Sequence, residues 1–202
     1  MLNMFSNHNQ KINNFALRSA NNFSKVILMV SLSIQQNWLS VGDQLKDVEQ
    51  HGINSRFLWG NKKNTYLYTE AHKHKLLGQV RAVLASKKPS AARSLSLMRI
   101  FLKIPGLGLA KAGFCCQLIT GLVGCMDSHN IKLYGLDTKD LTLPKNTQSP
   151  TYAKRLSAYV DMCIKHGSEN LWNTWCELVA TKSKKWDDGY HVSEVHYNYL
   201  IS

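Results

Sequence analysis

"KIPGLGLAKAGFCCQLITGLVGCMDSHNIKLYG", residues 103–135, sets a Pro-Gly-x-Gly turn in front of an apolar helix and places an Asp-Ser-His one helix later. The text before it, from about Ser90, has helical spacing and carries Leu95, Met98, Phe101 and Leu102, with Ser90 available as its cap. Pro105 cannot continue that helix, and Gly106 and Gly108 permit a tight hairpin. A second helix begins at once, over about 109–122. Its first backbone N–H groups have no intrahelical acceptor and stand beside two residues without side chains. Amide donors and helix dipole then point the same way, an arrangement that suits an anion. Lys103 and Lys111 add positive charge on either side. The same residues also make an ordinary pair of helices with no ligand.

This segment resembles the helix-hairpin-helix element of the DNA glycosylase superfamily that includes endonuclease III and the adenine glycosylases. In that family, apolar-Pro-Gly-x-Gly opens the second helix, and an apolar-Asp-x-His or Asp-x-Asn box bearing the catalytic aspartate follows. Ile104-Pro105-Gly106-Leu107-Gly108 matches the first part and Met126-Asp127-Ser128-His129 the second, in the same order and spacing. The element lies at about 93–124, and nothing elsewhere in the chain is diagnostic. The resemblance implies that Asp127 is catalytic. It also implies that Pro105, Gly106, Leu107, Gly108, Lys103, Lys111 and His129 lie against DNA.

The chemistry asks for these groups. Breaking an N-glycosidic bond builds oxocarbenium character on the sugar, which a fixed carboxylate stabilises while orienting the attacking water. The hairpin would grip the backbone while the target nucleotide is rotated out of the duplex. Asp127 also reads simply as a helix N-cap, with Ser128 and His129 in the first turn; both roles are compatible.

Two departures from the family narrow the expectation. Bifunctional relatives carry a Schiff-base lysine two residues beyond the second Gly, where this chain has Ala110. Lys111 is one position further on, rotated by about 100° around the helix. A water-using, monofunctional glycosylase is therefore expected. Many relatives also hold a four-Cys iron–sulfur cluster near the C-terminus. Here only Cys163 and Cys176 come late in the chain, so neither a cluster nor any other cofactor is expected. Phage-type enzymes that transfer groups to modified thymine bases, proposed to share this scaffold, keep base hypermodification open. A non-catalytic DNA-binding module is the third reading.

The remaining sequence fits a basic helical protein. Lys and Arg number 25 against 13 Asp and Glu, a net charge of +12 that suits a polyanion, with DNA the expected partner. The 202 residues, 44% of them apolar, suffice for one folded unit of one or two lobes. The five cysteines, Cys115, Cys116, Cys125, Cys163 and Cys176, contain no C-x-x-C pair; three lie in apolar helical text and read as small buried hydrophobes, and the odd count points to a reducing compartment. "VILMVSLSI" (26–34) is about half the length of a membrane span, and no signal-peptide cleavage site follows the leader. A cytoplasmic monomer is expected, nucleoid-associated or in the host cytoplasm if viral.

Residues 1–20, rich in Asn, read as a loose arm, with 21–202 as the folded domain. Phe23, Val26, Ile27, Val30, Ile34, Trp38 and Val41 recur at helical spacing toward Gly52, as one helix or as two broken near Gly42. "INSRFLWGNKKN" (53–64) reads as a connection, and helices follow over about 65–85, 150–166 and 168–183. "YHVSEVHYNYLIS" reads as a strand or a short helix. His72 and His74, two apart, do not share a helix face, and His191 and His196 have no ligand frame, so no metal site is expected. Trp59, Tyr66 and Tyr68 beside Lys62 and Lys63 suit base stacking or core packing. "KSKKW" (182–186) reads as a solvated basic face. The fold class that emerges is all-α, a two-lobed helical bundle containing the hairpin.

Overall fold

Two stretches are buried on every side and mostly apolar, and the other helices wrap around them. α2 (Ala20–Leu32) buries Phe23 and every residue from Val26 to Leu32, and α6 (Leu109–Thr120) buries Leu109 and every residue from Ala112 to Ile119. A helix without a polar face must be enclosed, and each buried Leu, Ile or Phe side chain contributes roughly 1.5–3 kcal/mol. α2 and α6 pack on each other, and both touch α1 (Met4–Arg18). α2 further contacts α3 (Val41–His51), α4 (Gly60–Ala85) and α10 (Gly189–Ile201), while α6 contacts α5 (Ser90–Phe101).

The computed structural model describes residues 4–33, 40–137, 142–183 and 189–201. Among these the chain is all-helical: a 3₁₀ turn at Gly52–Asn54, α7 (Ser128–Leu133), α8 (Pro150–His166) and α9 (Ser168–Ser183) complete the elements, with no strand. No helix among them is long and apolar enough to cross a membrane. All five cysteines are buried and unbridged.

The loose arm expected over residues 1–20 is instead helical from Met4 to Arg18. Ile12 and Ala16, one turn apart, are fully buried. The asparagines that read as loop text bind neighbouring helices instead. Asn13 Nδ2 donates to the carbonyls of Gln117 (3.2 Å) and Leu118 (2.6 Å) near the end of α6. There the last carbonyls of a helix run out of intrahelical donors, although the Gln117 carbonyl also accepts the Gly121 amide at 3.0 Å.

The helical text over 22–52 divides into α2 and α3, with Ile34 and Trp38 outside the described residues. α4 starts at Gly60 rather than Thr65, so part of the expected connection is helical. Ser90 does not cap α5; it is the first helical residue, preceded by Pro89. α8 and α9 occupy the expected ranges, and Ser149 caps α8 by accepting the Tyr152 amide at 3.1 Å, with Pro150 in the first turn. The tail is helix α10.

Candidate functional site

The Pro-Gly-x-Gly segment forms a turn braced by α4. After α5, Lys103, Ile104 and Leu107 donate their amides to the carbonyls of Ile100, Phe101 and Ile104, winding the chain tightly back. Thr65 Oγ1 lies 2.6 Å from the Pro105 carbonyl, and Gly106 sits at φ +86°. A Cβ on Gly106 would lie 2.7 Å from Thr65 Oγ1 and 2.9 Å from the Asn61 carbonyl, so only glycine fits. Gly108 is different. It is extended (φ −84°, ψ −178°), and a Cβ there would meet nothing within 4 Å.

Gly108 is the N-cap of α6, and the first helical bond runs from the Ala112 amide to its carbonyl at 2.8 Å. The N–H groups of Leu109, Ala110 and Lys111 precede that bond and have no acceptor among the described residues. The open surface at Gly108 therefore lies over the positive end of a helix dipole.

Asp127 stands at the N-terminus of α7. Its Oδ1 accepts the Asn130 amide at 3.1 Å and its carbonyl accepts the Ile131 amide at 2.9 Å, the geometry of an N-cap. Its Oδ2 accepts the indole N–H of Trp175, on α9, at 3.2 Å. His129 falls in the first turn of α7, and its side chain is outside the described residues.

Aromatic rings link the two halves of the motif. The Lys111 ammonium lies 5.5 Å from the Phe114 ring centre, and Phe114 lies 5.6 Å from the Trp175 ring that donates to Asp127. Cys125 lies within reach of both charges. Burial pushes its thiol up, Asp127 pushes it further, and Lys111 draws it back. The sequence reading missed Phe114 and Trp175. Phe114 follows Lys111 by three residues, a spacing that stacks neighbours on a helix. Trp175 offered no signal, because a Trp pair at 172 and 175 reads as core packing.

Lys103 and Lys111 do not converge. Lys111 is half-buried and donates to Ser33 Oγ at 3.0 Å, at the C-terminal end of α2, where an ammonium complements the helix dipole. The same end holds Lys62, whose Nζ lies 3.3 Å from the Leu32 carbonyl. Burial, and secondarily the Lys111 charge, lowers the Lys62 pKa. Lys103 instead is exposed and borders surface grooves, one with His72 and Lys75, the other with Arg99. His72 stacks on Tyr68 at 4.4 Å, and no cluster of His, Cys, Asp or Glu suited to a metal forms among the described residues. No family model, curated protein or solved structure matches this chain.

Proposed function

We propose that the chain is a DNA N-glycosylase-like enzyme that hydrolyses the bond between a modified or damaged base and its sugar, with α5, the 102–108 turn and α6 as its helix-hairpin-helix. In that reading the helices form two lobes with the site between them, and the protein acts without a Schiff base. Water adds to C1′, the bonding pair of the C1′–N bond leaves with the base, and the base takes up the proton. A free base and an abasic sugar result. Asp127 stabilises positive charge on the sugar and orients the water. The Gly108–Lys111 amides hold a phosphate of the same strand.

The observation that carries this reading is the contact path from Lys111 through Phe114 and Trp175 to Asp127, which couples the first turn of α6 to the carboxylate. It supports a shared site for two motif halves that are separate in sequence. The test is incubation with duplexes bearing assorted modified bases, followed by hot alkali. Strand breaks at the modified base, absent with Asp127→Asn, are the expected result; no breaks across a broad panel would remove the glycosylase reading. One observation favours a non-catalytic DNA-binding module instead: both Asp127 oxygens already have structural partners. Duplex binding without base release would establish it. A change in base mass without strand breaks would point to base hypermodification.

A further inference from the structure

A groove of about 660 Å³ runs from the end of α5 to the start of α8, beside the hairpin. Its volume is that of a small-ligand site. Two of its lining residues, Arg99 and Lys103, are cations on exposed positions, and no Asp or Glu lines it. Neither cation is in a hydrogen bond or ion pair among the described residues. Two unneutralised cations at one groove attract an anion, and their planar and point-like donors suit phosphate oxygens.

The other wall supplies a flat, partly apolar surface. Tyr152 and Pro150 line it in the first turn of α8, and Tyr152 is half-buried. Burial raises the Tyr152 hydroxyl pKa while Arg99 opposes it, so the phenol and the guanidinium lie within charge reach of each other. Gln148 adds an amide that can both donate and accept, and its backbone is fixed by a 3.0 Å bond to Asn146 Oδ1. Ser149 already caps the helix, so anion selectivity comes from the two cations rather than from the α8 amides.

We propose that this groove holds one nucleotide of the DNA strand that continues past the hairpin, with its phosphate on Arg99 and Lys103 and its base on Tyr152. The inference rests on the hairpin reading above, because Lys103 joins the groove to the turn. Binding of duplex and of single strands by the full-length chain, measured by fluorescence anisotropy against salt, tests it. Arg99→Gln with Lys103→Gln should weaken binding about tenfold or more and reduce the salt slope by about one unit, for the one phosphate that both cations hold. Tyr152→Leu should weaken single-strand binding by about fivefold to a hundredfold, the range for losing one stacked base, while Tyr152→Phe keeps it.

The cations are exposed, so an unchanged melting curve is expected for the double variant. If both groove variants bind like the parent while Gly108→Val binds poorly, the groove is excluded and the hairpin stands. Displacement of bound DNA by micromolar ADP would make it a site for free nucleotides and overturn the strand assignment. Equal binding of polyglutamate would overturn it as well. A parent protein that binds no DNA at low salt overturns both readings.

Discussion

The indole N–H of Trp175 donates to Asp127 Oδ2 at 3.2 Å while Asp127 Oδ1 accepts the Asn130 amide at 3.1 Å, so one carboxylate starts α7 and ties it to α9. Asn at position 127 keeps the shape and one acceptor, and it is nearly as good an N-cap. Its NH₂ must then face one of two donors. Asp127→Asn should cost about 1–2 kcal/mol of stability, the scale of one lost hydrogen bond to a charged group. Base release should fall roughly 10²-fold or more, the scale of losing a preorganised electrostatic group. Trp175→Phe keeps the charge and loses only its orientation, so its rate should lie between the two. Urea melts and single-turnover rates on one substrate check both, and activity retained in Asp127→Asn would leave Asp127 as a cap alone.

The two hairpin glycines should separate cleanly. Gly106→Ala puts a Cβ at positive φ, 2.7 Å from Thr65 Oγ1, and should destabilise the fold by at least 1–3 kcal/mol. Gly108→Val meets neither clash nor strain, since its backbone is extended and the space is open. Its stability should therefore match the parent within about 1 kcal/mol. If the α6 amides grip a phosphate, the branched side chain stands in the way and duplex affinity should drop at least tenfold. Melting and anisotropy on the same samples decide this. A fully bound, fully stable Gly108→Val removes the phosphate from the turn.

The tight turn between α5 and α6 was legible because Pro and Gly act locally: Pro105 stops a helix and Gly106 permits the turn whatever surrounds them. The ranges of α8 and α9 were legible from periodicity, Ala153, Leu156, Val160 and Ile164 recurring at helical spacing in α8. Helix α1 was not, because Asn13 gains its acceptors from α6, over a hundred residues away in sequence. The Trp175–Asp127 bond was hidden likewise, since tertiary packing alone brings α9 to α7. The direction of Lys111 depends on Ser33, a residue with no pattern of its own.

Alkaline pH should unfold the protein through its thiols. All five cysteines are buried, and burial raises the pKa of each; Cys163 goes from 9.0 to about 12. A folded pKa above the unfolded one means that the native state holds the proton longer. This stability is complete below pH 9 and is lost as pH rises from there toward the folded value. At pH 10 each buried thiol should cost about 1–2 kcal/mol relative to neutral pH. Five such groups together remove about 5–10 kcal/mol, on the scale of a whole domain's stability. Urea midpoints between pH 7.5 and 10 should fall steeply, and Cys163→Ala should flatten the fall by about one fifth. A flat profile would mean that the thiols are accessible to water.

Lys111 offers the last test, because the structure gives its amine a job other than covalent chemistry. Its Nζ donates to Ser33 Oγ at 3.0 Å, beside Lys62 on the Leu32 carbonyl, so two ammoniums complement the C-terminal end of α2. If the proposed glycosylase reading holds, an amine held there, one residue past the lyase position of the enzymes the segment resembles, has no covalent role. Borohydride added to the protein with abasic-site DNA should therefore trap no covalent adduct. Lys111→Met should leave base release intact and lower duplex affinity severalfold, with a salt slope smaller by about one unit if the charge reaches a phosphate. It should also raise the Lys62 pKa, since the neighbouring positive charge is one cause of its depression. That change can be read as slower acetylation of Lys62 at fixed pH, followed by mass spectrometry. A borohydride adduct mapping to Lys111, or loss of base release in Lys111→Met, would make Lys111 the nucleophile and reduce Asp127 to a supporting role.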